Sequence, residues 1–177
     1  MKVLVVIDAQ NDFITGVLGS QEAQEAIPYI ASKVNHAMND LDLIVYTQDT
    51  HFDNYMDTNE AKYLPVPHCI ENTWGWAVAD EVDVVAQHIP KYTFGCHALP
   101  QYLMDLAALS DAEITEIEIC GFCTDICVIS NALILKSVFA PMNIDIVVDA
   151  KACAGVTPEK HAAALEVMKS CQIIVKE

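Results

Sequence analysis

The segment Gly121-Phe122-Cys123-Thr124-Asp125-Ile126-Cys127-Val128 contains residue types from which a nucleophile can be built. It follows the apolar-alternating run Ile114 to Ile119, so a strand ends in glycine and the chain passes through Thr-Asp into a second apolar run. That order predicts a strand–turn–helix junction, with Thr124 or Asp125 capping the first backbone N–H groups of the helix. Cys127 then falls in the first helical turn, where unpaired N–H groups and the positive end of the helix dipole favour a thiolate. A thiolate in that position can attack an acyl carbon.

The elements that would position this thiol are short Val- and Ile-rich runs alternating with amphipathic stretches. Val3–Ile7, Leu43–Thr47, Val82–His88, Thr115–Cys120, Ile144–Val148 and Gln172–Val175 read as six strands, several of them apolar throughout. Continuous apolar strands belong to parallel sheets covered on both faces. Gln21–Met38, Leu99–Leu109, Asp125–Phe139 and Pro158–Lys169 carry apolar residues at helical spacing, and Thr157-Pro158-Glu159 is a strong helix start. The alternation predicts α/β architecture: a doubly wound six-stranded parallel sheet with helices on both faces, in a single domain over residues 1–177. The segment from Asp49 to Asp80 has no clean period, and a connection that long usually serves a function.

In such sheets ligands bind beyond the carboxyl ends of the strands. Asp8 stands after the first predicted strand, Asp49-Thr50-His51 after the second, Lys91 after the third and Cys127 after the fourth. Singly, these could be a loop cap, ordinary loop residues, a solvated lysine and a core cysteine. Together they set an acid, an acid–base pair, a cation and a thiol on one rim. The first strand leads into Asp8-Ala9-Gln10, where a dinucleotide-binding sheet would need a glycine-rich turn, so a nucleotide cofactor is not expected.

Composition narrows the partners. The formal charge is −16, which argues against nucleic acid and anionic membranes, and a negatively charged substrate would need a local positive device. Runs such as Val3–Ile7 are too short to span a bilayer, and Asp8 interrupts what could otherwise resemble a signal peptide. Seven cysteines at irregular spacing point to a reducing cytoplasmic setting rather than a disulfide framework, with Cys69, Cys120, Cys153 and Cys171 expected in or near the core. A homo-oligomer acting on a small molecule is the expected form.

Asp8-Ala9-Gln10-Asn11-Asp12-Phe13, then Lys91, then Gly121-x-x-Thr124-Asp125-x-Cys127-Val128 resembles the isochorismatase-like cysteine hydrolases. Within that superfamily, Asp49-x-His51 followed by Pro67-His68-Cys69 and Gly75 is similar to the metal segment of the nicotinamidases. The resemblance runs through the whole chain and implies a catalytic triad of Asp8, Lys91 and Cys127. It also implies an oxyanion hole from the backbone N–H groups of Cys123 and Cys127, with a cis peptide between Phe122 and Cys123. A divalent metal, zinc with manganese or iron as alternatives, would be held by Asp49, His51 and His68, with Glu60 as a fourth protein ligand in some members. Phe13 and Phe94 would flank a flat ring, and Trp74 and Trp76 would close the pocket. The implied reaction is hydrolysis of a small amide, nicotinamide to nicotinate and ammonia, through a cysteine thioester. Another small-amide or isochorismatase-like hydrolase, or a non-catalytic metabolite-binding member, is the alternative.

Overall fold

Six parallel strands form one sheet in the order β3-β2-β1-β4-β5-β6 in a computed structural model that describes residues 1–84 and 86–177. The strands are β1 (Lys2–Ile7), β2 (Leu43–Asp49), β3 (Gln87–Lys91), β4 (Glu116–Phe122), β5 (Asp145–Ala154) and β6 (Ile174–Lys176). The helices are α1 (Asn11–Ile14), α2 (Gln21–Asp40), α3 (Leu99–Leu109), α4 (Ile129–Phe139) and α5 (Pro158–Ser170). β1 lies at the centre, and Val5, Val6 and Ile7 are fully buried because both faces of the sheet are covered. Right-handed crossovers in this strand order put α2 on one face and α3, α4 and α5 on the other. The packing agrees, with α4 between α3 and α5 and α2 lying across β1, β2, β4 and β5.

The first strand change in direction falls between β1 and β4, so the rim above these two strands is where a ligand site is expected. Gly121, near the end of β4, is required there. It has φ of +118°, and a Cβ at this position would collide with the carbonyl oxygen of Ile7 on β1. Close approach of β4 to β1 brings Asp8 and the turn after β4 to the same rim.

Two expectations need correction, the span of the third strand and the placement of Cys171. The third strand is not at 82–88, a span that includes Val85, which lies outside the described residues. Val82 is tied into a turn by its N–H to Ala79 and accepts the Tyr46 hydroxyl at 2.5 Å, and the strand begins at Gln87. β3 is an edge strand, which is why Pro90 is tolerated within it. The long connection after β2 contains short 3₁₀ turns at Tyr55–Asp57 and Glu60–Lys62, and Cys171 is exposed rather than packed in the core. The continuous helical stretch Thr124–Met142 is apolar and long enough by composition to cross a membrane, with a mean hydropathy of 1.5. Here it includes α4, which packs against β5, α3 and α5.

Candidate active site

The turn after β4 carries the thiol. Thr124–Val128 forms a single π-type turn before α4, a widened turn of the kind often found at functional sites. Thr124 and Asp125 do not cap it. The Asp125 carboxylate instead accepts the N–H of Val156 at 2.8 Å, and the Thr124 hydroxyl lies 2.8 Å from Nδ1 of His161 on α5. Their side chains clip the turn to the loop after β5 and to the next helix. At the other end, Asn131 donates to the carbonyls of Cys127 and Phe94, and its own carbonyl accepts the N–H of Cys96. The peptide Phe122–Cys123 is cis.

Asp8, Lys91 and Cys127 come together as the sequence suggests. All three are buried, and the Lys91 Nζ lies 2.7 Å from Asp8 Oδ2 and 3.4 Å from Cys127 Sγ. Asp8 has φ of 46°, in the left-handed region that aspartate tolerates better than most residues. Its other carboxylate oxygen accepts the Thr47 hydroxyl at 2.7 Å.

Burial pushes the Asp8 carboxyl up, against the pull of Lys91 in the opposite direction. Lys91 is held well above its ordinary value: burial opposes this, but Asp8, Cys127 and Asp49 together outweigh it. Burial and the Asp8 charge push the Cys127 thiol well up, which overrides the helix-start effect expected from position alone. The resting site therefore pairs a charged lysine with a thiol that still holds its proton and an acid placed to take it. Cys123, next to the same turn, is pushed up to about 12 by burial.

Asp49 joins this triad to a second cluster. Its Oδ1 receives Lys91 at 3.1 Å, while its Oδ2 lies 3.2 Å from His51 Nε2 and 3.5 Å from His68 Nε2. Glu60 places its carboxylate oxygens 3.8 Å from His51 Nε2 and 3.6 Å from His68 Nε2. Asp49, His51 and His68 are all buried, and their ligand atoms fall within 4.8 Å of one another. His68 Nδ1 lies 2.8 Å from the Val66 carbonyl, which can only accept, so neutral His68 turns a free Nε2 lone pair toward the cluster. Two imidazoles and the Asp49 carboxylate converge on one point with the Glu60 carboxylate beside the two rings, an arrangement that fits a divalent transition metal, with zinc, manganese or iron compatible with this donor set.

Sequence reasoning missed the residues that hold these groups in place. Gln10 is fully buried and clamps Asp49 from both sides, accepting its N–H at 2.8 Å and donating to its carbonyl at 2.9 Å. Asp12 accepts the N–H of Cys69 at 2.8 Å and so fixes the loop that carries His68. Tyr55 packs edge-on against the rings of both His51 and His68. Gln10 and Asp12 lay in the quoted Asp8 segment, but nothing in their spacing marks them as clamps.

A cavity of about 620 Å³ opens onto this floor, lined by Asp49, Glu60, His68 and Cys127 at its inner end. Phe13 and Phe94 both lie on its wall, and Phe13 packs edge-on against His68. Trp74 and Trp76 do not line it. Trp74 is exposed, and Trp76 uses its indole N–H on the Thr50 hydroxyl at 2.9 Å.

Fold and site together define a doubly wound α/β domain whose rim holds a buried cysteine, lysine and aspartate beside a His-carboxylate cluster. The sequence matches the isochorismatase domain over residues 2–176, and the chain belongs to that family. It is 33% identical over 118 residues to the nicotinamidase of Saccharomyces cerevisiae. That match covers 50% of this chain, and the chain spans only 54% of the length of the yeast protein. The structure is similar to a nicotinamidase/pyrazinamidase from Bacillus subtilis, with a TM-score of 0.79, 25% identity and 99% of each chain covered. It is similar also to a pyrazinamidase of Pyrococcus horikoshii in complex with zinc, with a TM-score of 0.81 and 25% identity over 99% of this chain and 98% of that one.

Proposed function

We propose that the protein is a metal-assisted cysteine amidohydrolase, a nicotinamidase that converts nicotinamide to nicotinate and ammonia. The observation that carries this reading is Asp49, one carboxylate shared between the Lys91–Asp8–Cys127 triad and the His51–His68 cluster on the floor of one cavity. A nucleophile and a metal cluster this closely joined suit a substrate held at two points, its amide at the thiol and a ring donor atom at the cluster. The similarity to nicotinamidases supports the same substrate class.

The chemistry follows from the resting charges. Asp8 takes the Cys127 proton as Sγ bonds to the carboxamide carbon, and Lys91 offsets the negative charge that moves between them. Backbone N–H groups of Cys123 and Cys127 would hold the oxyanion. When the C–N bond breaks, Asp8 returns its proton to the departing ammonia and leaves a thioester on Cys127. Water then attacks the thioester, gives its proton to Asp8, and the carboxylate product leaves as Cys127 regains its proton. A divalent ion held by Asp49, His51, His68 and Glu60 would supply an open coordination position for the pyridine nitrogen. The burial of Asp8 and Cys127 keeps this proton exchange away from bulk water.

Ammonia release from nicotinamide, pyrazinamide and benzamide, with and without a chelator, tests the reading. Nicotinamide turnover is expected to vanish on chelation and return with zinc or manganese. Benzamide keeps the ring shape but lacks the ring nitrogen, and it is expected to be far poorer because the ion's open position stays unfilled. Metal-free protein that hydrolyses benzamide as well as nicotinamide would overturn both the metal role and the substrate.

A further inference from the structure

The cavity is much larger than one pyridine ring with its carboxamide requires. Its volume of about 620 Å³ is in the range of sites that enclose drug-sized ligands. The inner end, at Asp49, His68 and Cys127, accounts for the reacting group and the ring donor. The outer part is apolar, with Leu18, Tyr63, Tyr92, Phe94 and Val156 on its walls. Tyr63 and Tyr92 are 85% and 60% exposed, an unusual amount of aromatic surface to leave in water beside a catalytic floor. Tyr92 is held in place by stacking on Phe52, with ring centroids 5.8 Å apart. A pre-positioned aromatic wall favours an apolar group over solvent.

Charge adds a second constraint. The cavity lining contains the carboxylates of Asp49 and Glu60 and, among the described residues, no lysine. The whole chain has nine lysines and no arginine, so it lacks the side chain that binds carboxylates through two parallel hydrogen bonds. Lys91, the buried cation at the floor, is already committed to Asp8 and Asp49. A divalent ion would bring two positive charges that Asp49 and Glu60 already match. Nothing is left over to receive an anionic group on a substrate.

We propose, on the amidohydrolase reading above, that the site takes an uncharged ring carboxamide whose apolar substituent lies across Leu18, Tyr63 and Tyr92, and that it rejects amides bearing a carboxylate. The same electrostatics aid turnover. Amide and water become a carboxylate and ammonium, and the new anion forms beside a charge-balanced floor with no free cation to hold it, which favours its release.

Steady-state kinetics on nicotinamide, a ring-phenyl nicotinamide and the corresponding ring-carboxylate nicotinamide test the proposal. The phenyl derivative is expected to show a KM about tenfold below that of nicotinamide, as burial of that much apolar surface implies. The carboxylate derivative is expected to fall at least tenfold in kcat/KM. Tyr63→Ala should reduce the preference for the phenyl derivative over nicotinamide. A phenyl derivative with a KM equal to or above that of nicotinamide, or a carboxylate derivative as good as nicotinamide, would overturn the proposal. So would an unchanged preference in Tyr63→Ala. If nicotinamide itself is not hydrolysed, the amidohydrolase reading fails separately, and alkylation still tests the charge argument. The ratio of iodoacetamide to iodoacetate rates at Cys127, followed by peptide mass, should exceed that of free cysteine at least tenfold; an equal ratio overturns the charge selection.

Discussion

At the scale of single residues, the site depends on groups that cannot be exchanged for one another. Cys127 is nearly fully buried, and replacing its sulfur with a methyl hydrogen removes little volume. Cys127→Ala should therefore abolish ammonia release while thermal unfolding changes little. Cys123→Ala should keep much of the activity, because the proposed role of Cys123 uses only its backbone N–H. The reverse pattern would mean that the wrong thiol has been assigned. Asp8→Asn preserves shape but removes the proton acceptor, so ammonia release should be lost, while iodoacetamide should modify Cys127 faster at neutral pH because the charge that raises the thiol is gone. Lys91→Ala should instead slow that alkylation and also cost stability, since it leaves the Asp8 and Asp49 carboxylates buried without their cation. Loss of one partner from such a buried pair costs roughly 3–5 kcal/mol, measurable by urea unfolding. Unchanged alkylation in both variants would remove the triad as an explanation. Asp8 and Cys127 were legible in the sequence because each stands shortly after a Val- or Ile-rich strand, whereas Lys91 closes the polar edge strand β3. The high thiol affinity of Cys127 for its proton was not legible, because burial and the neighbouring Asp8 charge arise only when the chain is folded. Gln10, a polar residue enclosed in the core to hold Asp49, was illegible for the same reason.

At the scale of elements, the order and type of strands and helices could be read from apolar periodicity, and the start of α5 from Thr157 and Pro158. Thr157 does cap that helix, accepting the N–H of Lys160 at 3.3 Å. The misplacement of β3 has a physical cause. Its sequence Gln87-His88-Ile89-Pro90-Lys91 is too polar for a buried strand but suits an edge, while the more apolar residues just before it were the stronger signal. The turn after β4 was read correctly as a junction, but its ties run to distant elements rather than to its own helix. One such tie carries a prediction. His161 on α5 is half-buried, and burial holds its ring below its ordinary proton affinity, with Nδ1 at 2.8 Å from the Thr124 hydroxyl. A folded-state pKa below the unfolded one, ordinarily near 6.5, gives stability that is present above that value and lost as pH falls. The melting temperature should therefore fall below about pH 6.5. His161→Gln should flatten that part of the profile. An identical pH profile in wild type and variant would show that His161 does not couple α5 to the nucleophile turn.

At the scale of the whole molecule, 25 acidic residues face nine lysines, and the resulting −16 repels itself in the folded state. Two measurements separate that diffuse repulsion from the local charge of the Asp49–Glu60 cluster. Raising ionic strength from about 0.01 M to about 0.15 M shortens the screening length from about 30 Å to about 8 Å, so thermal stability should rise with salt. His68→Ala should show the same salt response, because screening acts on the entire surface. Zinc or manganese acts differently: an ion that binds only the folded protein at a hundredfold excess over its Kd contributes about 2.7 kcal/mol. For a chain of this size that is a rise of roughly 5–10 °C, and it should persist at about 0.15 M salt because the ligands are buried. In His68→Ala the metal response should largely disappear while the salt response remains. A metal-induced rise that survives His68→Ala unchanged, or vanishes with salt in the wild type, would assign the ion to the acidic surface instead of to Asp49, His51 and His68.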